Sequence, residues 1–165
     1  MISKKTPLIF LLIAVFFVFS IYSVQAVDLY VDDDGTCAVD GCDGDISCYT
    51  LIQDAVNDAS SGDTVYVCVG TYTEQVIINK SLTLQGENKE TTIIEYPPAP
   101  VSSQYLILVE ADNVTINGFK LLGHFAVDNR AVYIIHSQNS GLIVEDNEIQ
   151  GFIGVFGNLI NGQIK

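Results

Sequence analysis

The most regular feature of the chain is a series of short segments in which apolar and polar residues alternate. They are rich in β-branched residues and separated by Gly and Asn: TVYVCV, QVIIN, LTLQG, TIIE, YLILVE, VTINGFKLL, AVYIIH and LIVEDNEI. Segments of this length and period predict β-strands with one buried face. In the first of them, Val65, Val67 and Val69 share the face predicted to be buried, which places Tyr66 and Cys68 on the outer face.

A different spacing precedes these segments and predicts one helix. Apolar residues recur at intervals of three and four from Leu51 to Ala59, which is typical of a helix with one buried face. Thr50 and Gln53 have the spacing of a capping box, in which each side chain accepts a hydrogen bond from the backbone N–H of the other residue. Gly62 is expected to end the segment, since Gly takes a left-handed conformation without steric cost.

An internal repeat relates the strand segments to one another. Residues 113–123 and 141–151 match at an offset of 28, with Ile116 aligned to Val144 and Gly123 to Gly151. An earlier copy, SLTLQGEN, precedes the first segment by 32 residues, and a later copy, GQI, follows GLI of the second segment by 21. Such repeats predict a solenoid of about four stacked coils, the parallel β-helix, with incomplete coils at the C-terminus. A β-sandwich is the alternative, since it also contains many short strands.

The first 26 residues have the layout of a secretory signal peptide. Lys4 and Lys5 precede an apolar run of 12 residues from Leu8 to Phe19, and small residues suited to cleavage follow. A membrane anchor is the alternative, but a spanning helix needs roughly 20 apolar residues. We predict a mature chain that begins at Val27 and has no transmembrane anchor. Its domains are then an N-terminal cap over residues 27–62 and β-helix coils over residues 63–165.

The chain is strongly acidic. Its formal net charge is −13, and because the signal contains two lysines and no acid, the mature part has 5 basic and 20 acidic residues. Nucleic acid would be repelled by such a surface, so we predict no nucleic-acid partner. The surface would attract cations, although an extracellular or salt-adapted surface explains the charge equally simply.

Four cysteines lie in the predicted mature part, and an even number in an exported chain indicates disulfides. Four cysteines allow three pairings. We prefer Cys37 with Cys48, which closes the acidic loop, and Cys42 with Cys68, which ties that loop to the first coil. A zinc site is the alternative, but the spacings differ from the two-residue knuckles of zinc ribbons.

The loop that contains three of these cysteines is a candidate calcium site. Carboxylate oxygens and tight glycine turns are what calcium prefers. The candidate ligands are Asp32, Asp34, Asp40, Asp43 and Asp45. The alternative is a solvated loop braced by disulfides, because the spacing of an EF-hand is missing.

Three further sets of residues fit recognisable patterns. Asn79 and Asn113 both begin glycan-acceptor triplets, and Asn79 is expected at a strand end. Asn147 is expected to be internal and to join an asparagine ladder between coils, which is a packing role. The histidines, His124 and His136, are predicted to be polar surface rather than metal ligands.

The string CYTLIQDAVNDASSGDTVYVCVGTYTEQVIINKSLTLQGENKETTII resembles the N-terminal part of the pectin-lyase-like superfamily. It is similar in particular to pectin methylesterases and to β-helix surface proteins of archaea and bacteria. The specific resemblance covers roughly residues 28–95 and continues only as generic coil repeats. It implies an all-β fold, a right-handed parallel β-helix whose open N-terminal end is plugged by the helix. Activity does not follow from the fold alone.

The residues that the esterase resemblance would require are not in place. Arg130 stands where those enzymes are expected to have a glutamine, and residues 151–157, GFIGVFG, stand where a Gln-Asp pair is expected. Gly, Ile, Val and Phe cannot exchange protons. The solenoid acids that a lyase could use for calcium are spread over loops and strand edges, and Arg130 is interpreted as a solvated turn residue. We therefore assign no catalytic residue, and the sequence leans against an enzyme.

The favoured function is an exported cell-surface or extracellular repeat protein with a non-catalytic structural or binding role. Its expected partners are polysaccharides or cell-envelope proteins, and self-association is expected through the open C-terminal end. The aromatic residues that could contact a glycan are Tyr105, Phe119, Phe125 and Tyr133. The alternative is a carbohydrate-active enzyme fragment, related to pectinesterases or polysaccharide lyases, that lacks its catalytic coils.

Overall fold

The computed structural model describes residues 25–34, 48–98, 105–123, 133–151, 153–157 and 163–164. Within these ranges the chain forms short strands and one helix, α1, at Ile52–Asp58. The strands are β1 Asp28–Val31, β2 Thr64–Val67, β3 Gly70–Thr73, β4 Val76–Ile78, β5 Thr83–Gly86, β6 Thr92–Glu95, β7 Tyr105–Val109, β8 Thr115–Asn117, β9 Lys120–Leu122, β10 Tyr133–Ser137, β11 Ile143–Glu145, β12 Glu148–Gln150, β13 Ile153–Gly157 and β14 Gln163–Ile164.

The strands form three parallel sheets that the chain visits in turn. Sheet A has the order β1-β2-β5-β8-β11-β14, sheet B has the order β12-β9-β6-β3, and sheet C has the order β13-β10-β7-β4. From β2 onward, a strand of sheet A is followed by one of sheet B and then by one of sheet C. This recurring order is that of a parallel β-helix, as predicted, and it is incompatible with the antiparallel sheets of a β-sandwich.

The pairing register confirms most of the internal repeat. Ile116 pairs with Val144 at the predicted offset, and Leu84 pairs with Ile116 one coil earlier. The last copy was predicted wrongly by one residue, since Gln163 pairs with Ile143 and not with Leu142. Side chains alternate between faces, so the predicted register would have turned the last strand over.

The core lies between the three sheets and is apolar. Val65, Leu84, Ile116 and Val144 follow one another along the inner face of sheet A, and each is at most 2% exposed. Phe119, also fully buried, lies beside the close approach of Gly86 and Gly118. Gly118 has φ of +78°, and a Cβ on it would overlap the carbonyl oxygen of Gly86, so both the conformation and the contact require glycine.

The structure corrects the prediction for the end of the first solenoid strand. Cys68 is buried, at 2% exposure, whereas Val69 is 46% exposed. The alternation predicted the reverse because it was extended past Val67, where β2 ends and the chain turns. Cys48 and Cys68 are both disulfide-bonded. Cys37 and Cys42 lie outside the described residues, so the predicted pairing stays a prediction.

Helix α1 exists where it was predicted, but its capping is different. The N-cap residue is Leu51, without a side-chain hydrogen bond, so the predicted capping box of Thr50 and Gln53 is wrong. The Glu74 carboxylate instead accepts hydrogen bonds from the backbone N–H groups of Ile52, at 2.8 Å, and Gln53, at 3.0 Å. At the other end, the Lys80 ammonium donates to the carbonyl oxygens of Val56, Asn57 and Ala59, which are among those a helix C-terminus leaves unpaired.

Each sheet has one N-terminal edge strand, and a separate group lies against each edge. Tyr49 forms a parallel bridge with β1, and its N–H donates to the Tyr30 carbonyl oxygen at 2.9 Å. The Asp33 carboxylate accepts the N–H of Thr71 in β3 at 3.0 Å. The Gln53 amide both accepts from the Ile77 N–H, at 2.7 Å, and donates to the Ile77 carbonyl, at 3.2 Å, as a neighbouring strand would in front of β4. We refer to these three residues as the edge groups.

Candidate functional site

The outer face of sheet A carries two rows of polar side chains in register. One row is a run of hydroxyls, in which Thr64 pairs with Thr83 and Thr83 with Thr115. The second row is in register from β1 to β11, and all of its members are partly exposed. It consists of Tyr30, Tyr66, Gln85, Asn117 and Glu145. We call the two rows together the polar face.

Strand geometry fixes the spacing of the polar face. Neighbouring strands lie about 4.7–4.9 Å apart, so equivalent side chains repeat at that interval along the solenoid. The rings of Tyr30 and Tyr66 lie 5.8 Å apart with a tilt of 56°. Burial first, and then the Glu87 carboxylate, raise the pKa of Tyr66 above its ordinary range. Its hydroxyl is protonated at neutral pH, as that of any unperturbed tyrosine is, and can donate a hydrogen bond. The face thus offers ordered hydroxyl, amide and ring surfaces.

A polar cleft lies at one side of the polar face. Its lining residues are Lys89, Asn117, Glu145, Asp146 and Asn147. Lys89, from the loop after β5, forms an ion pair with Asp146. The hydrogen bond that the Lys89 ammonium donates to the Asp146 carboxylate raises the pKa of Lys89. Asp146 has φ of +51°, an uncommon conformation for a residue other than glycine.

Asn147 fixes the wall of this cleft to the preceding coil. Its Oδ1 accepts the N–H of Phe119 at 2.9 Å, and its Nδ2 donates to the carbonyl oxygens of Ile116 and Glu145, both at 2.9 Å. These bonds join neighbouring coils, as predicted, but Asn147 is only half-buried and its amide bonds to backbone groups, not to a ladder of internal asparagines. Because all three polar contacts of the amide are to backbone, its position is rigid.

Sheet C presents aromatic side chains outward. Tyr105 and Tyr133 pair in register, and their rings stack at 5.8 Å, while the His136 ring lies 4.6 Å from that of Tyr105. Phe119 belongs to the core, and Phe125 lies outside the described residues. Two of the four aromatic residues predicted for glycan contact, Tyr105 and Tyr133, are therefore partly exposed side by side. Their ring faces are turned toward one another, which leaves mainly edges for a ligand.

The acidic loop is described only in part. Asp32 and Asp34 are described, and the Asp34 N–H donates to the Asp32 carboxylate at 3.3 Å. Burial raises the pKa of Asp32. Asp40, Asp43 and Asp45 lie outside the described residues, and in the described part of the chain no group of three His, Cys, Asp or Glu residues could hold a metal ion. The predicted calcium site stays a prediction.

The structure describes some of the remaining predicted residues, and others lie outside the described ranges. Asn79 and Asn113, the predicted glycan acceptors, are both exposed, and Asn113 has φ of +55°. Arg130 and His124 lie outside the described residues. Strand β13, Ile153–Gly157, pairs with β10 in sheet C. The glycan attachment and the interpretation of Arg130 stay predictions.

Sequence reasoning missed Lys89, Glu74 and the polar face itself. The face could have been found from the outward positions of the repeat, which read T-x-Y, T-x-Q, T-x-N and I-x-E in successive strands of sheet A. Lys89 gave no signal, because its partner Asp146 lies two repeats further along the chain.

Comparison with known proteins gives one curated relative and several solved structures. No protein-family model matches the chain. Over 104 residues, 62% of the chain, it is 34% identical to a cell surface glycoprotein of Methanothermus fervidus, and it spans 16% of that relative's length. This likeness bears out the predicted secreted or cell-surface location. Among the described residues, no helix has the length and apolar character that crossing a membrane requires.

Two pectin methylesterase structures share the fold. A mutant in complex with a hexasaccharide superposes with a TM-score of 0.61 at 14% identity, covering 86% of this chain and 50% of that one. Another complex with a hexasaccharide gives a TM-score of 0.63 at 14% identity, covering 81% and 46%. At this identity the likeness concerns architecture and carries no activity with it. The chain has the pectin-lyase-like parallel β-helix fold.

Proposed function

We propose that this chain is a non-catalytic module of an exported cell-surface protein and binds a neutral linear polysaccharide along the polar face. The observation that carries the proposal is the register of two polar rows, which runs across successive coils and ends beside the cleft of Lys89 and Asp146. A linear glycan repeats its hydroxyls along one axis, and this face repeats hydrogen-bonding side chains along one axis.

The chemistry of the polar face suits sugar hydroxyls. Threonine hydroxyls and side-chain amides both donate and accept hydrogen bonds, so they match hydroxyls in either orientation. Tyr30 and Tyr66 add partly exposed rings with an apolar body and a polar tip. The strands that carry the rows are held by backbone pairing with neighbouring strands. Binding a ligand therefore costs little further conformational entropy.

Charge favours a neutral ligand over an acidic one. The chain has a formal net charge of −13, and both ends of the polar rows carry carboxylates, Asp28 and Glu145. The cation of the cleft, Lys89, is already paired with Asp146. An anionic polymer would therefore meet net repulsion along the whole face.

The finer architecture belongs to the same proposal. We infer about four coils, wound right-handed and closed at the N-terminal end by α1 and a disulfide-braced loop. The apolar side of α1 supports this, because Ile52, Ala55 and Val56 are fully buried against the first strands. The two described cysteines lie next to this region and are disulfide-bonded.

Binding to insoluble polysaccharides of neutral and acidic type tests the proposal. Co-sedimentation with cellulose, chitin and polygalacturonate is compared for the wild type and for Gln85→Ala, Tyr66→Ala and Gln150→Ala. Gln150 is exposed on sheet B and serves as the matched control for Gln85. We expect binding to a neutral polymer that is weakened at least about fivefold by Gln85→Ala and by Tyr66→Ala, since one lost hydrogen bond costs about 1 kcal/mol.

Two results would contradict this function. Equal retention of wild type and both polar-face variants would exclude the face as the binding surface. Release of methanol or of unsaturated sugars from methylated polygalacturonate would show the carbohydrate-active enzyme that is the alternative. The same samples serve both measurements.

A further inference from the structure

Asp63 is a carboxylate buried almost completely at the start of β2. It is 5% exposed. Its Oδ2 accepts the N–H of Ser60 at 2.7 Å, and its Oδ1 accepts the backbone N–H of Val27 at 2.9 Å. Its own backbone is held by Ser60 and Thr83, with distances of 3.2 and 3.0 Å. The side chain is therefore fixed with one oxygen aimed at Val27.

Within the described ranges no side-chain cation pairs with this carboxylate. The ion pairs found there are Lys89 with Asp146 and Lys120 with Glu148. Burying a carboxylate without a positive partner is costly unless hydrogen bonds or a charge compensate it. The N–H groups of Ser60 and Val27 supply hydrogen bonds but no neutralising charge, so a positive group placed at this carboxylate would be favourable.

The residue that faces Asp63 is the predicted first residue of the mature chain. Val27 directly precedes β1, and its carbonyl oxygen accepts the N–H of Thr64 at 3.1 Å, which continues the pairing of β1 with β2. Gln25, Ala26 and Val27 are exposed and lie outside any strand or helix. The peptide bond between Ala26 and Val27 is thus accessible to a peptidase. Its nitrogen, that of Val27, already donates a hydrogen bond to Asp63.

We propose that cleavage between Ala26 and Val27 creates an α-ammonium group that forms an ion pair with Asp63. Hydrolysis by a signal peptidase adds the OH of water to the Ala26 carbonyl carbon and a proton to the Val27 nitrogen. The new amine takes up one further proton from solvent. The inference rests on the export part of the proposed function and not on polysaccharide binding.

Processing would then stabilise the fold at the place where the cut is made. A neutral amide N–H becomes a charged donor at the same oxygen, so a hydrogen bond to a carboxylate becomes a hydrogen-bonded ion pair with a Coulomb attraction that the amide does not supply. The added stability is local to β1. The bond between Val27 and Asp63 holds the chain against β2 directly before Asp28, the first residue of that edge strand. A cut even two residues earlier would leave the ammonium outside and Asp63 without its cation.

A chemical double-mutant cycle tests the pair. The full chain is exported from a secretory host, its N-terminus is sequenced, and half of the sample is acetylated selectively at the α-amine. Urea unfolding is compared for wild type, Asp63→Asn and the control Asp28→Asn, which removes an exposed carboxylate one residue from Val27. We expect acetylation to lower the folding equilibrium constant about tenfold in wild type and in Asp28→Asn, and less than about twofold in Asp63→Asn.

A second readout does not depend on how Asp63→Asn folds. The pKa of the Val27 α-amine, followed by NMR in wild type, should lie above the ordinary range of about 7.7–8.0. An exported chain that starts at another residue would overturn the inference. So would an acetylation effect of equal size in wild type and Asp63→Asn, or an α-amine pKa inside the ordinary range. In each of these cases the chain is still exported, whereas retention of the whole precursor in the cell would count against export itself.

Discussion

Replacing Glu74 by alanine removes the only side-chain acceptors seen at the N-terminus of α1 among the described residues. Both carboxylate oxygens are used, by the N–H groups of Ile52 and Gln53 at 2.8 and 3.0 Å. Loss of a side-chain cap costs about 0.5–2 kcal/mol. Burial of Glu74 raises its pKa and so opposes part of the benefit of the charged cap. We therefore expect Glu74→Ala to lower the free energy of unfolding by about 1–2 kcal/mol at neutral pH.

Urea unfolding of both proteins measures this difference. Glu90→Ala is the matched control, because Glu90 is an exposed glutamate in the loop before β6. The control should change stability by no more than about 0.5 kcal/mol. A loss for Glu74→Ala that does not exceed the loss for Glu90→Ala would refute the assignment of Glu74 as the helix cap.

The pH dependence of the stability difference between wild type and Glu74→Ala gives a second test, because the direction of its change follows from the pKa of Glu74. Desolvation raises the pKa of Glu74 above the ordinary value of 4.5. The folded state then binds this proton more tightly than the unfolded state, so the contribution of Glu74 is largest below pH 4.5 and declines as pH rises through the raised pKa. The stability difference between wild type and Glu74→Ala should thus widen on acidification through this window. A difference that narrows would show that the hydrogen bonds to the ionised carboxylate outweigh its burial.

Three further outcomes are expected. Gly118→Ala should unfold the protein or destabilise it by several kcal/mol more than Gly62→Ala. Both glycines have a positive φ, but of the two only Gly118 would place a Cβ against backbone atoms. Equal losses of stability in thermal melts of the two variants would contradict this. Asn147→Ala should cost about 1–3 kcal/mol in urea unfolding because it leaves buried backbone groups unpaired, and a neutral effect would show that water replaces the amide. Non-reducing peptide mapping should return two disulfides, Cys37–Cys48 and Cys42–Cys68, and four free thiols would reject the braced loop.

The periodic features of the fold were predictable and the local exceptions were not. Strand alternation and the repeat identified the β-helix, because the core needs the same apolar positions in every coil, as Ile116 and Val144 show. Cys68 was misplaced because alternation holds only within a strand and cannot reveal where β2 ends. The capping box was wrong because the N-cap is Leu51 and not Thr50, and because Glu74, which is distant in sequence, accepts the N–H groups of the first turn.

The polar face was hidden for a related reason. Its members are far apart in the chain, and each looks like an ordinary surface residue of a single strand. Only the register between coils brings Gln85 beside Asn117 and Asn117 beside Glu145. The buried Asp63 gave no sequence signal either, since its partner is the backbone nitrogen of Val27 and not a side chain.

The three edge groups affect how another copy of the chain could pair with the N-terminal end of the solenoid. An open strand edge is a template for another chain, and here Tyr49, Asp33 and Gln53 already occupy hydrogen-bonding groups on the N-terminal edge of each sheet. A neighbouring copy that approached this end would have to displace a different kind of contact on each of three sides at once. On a crowded cell surface, we therefore expect strand addition at the N-terminal end to be opposed, so that another copy does not extend the sheets in that direction.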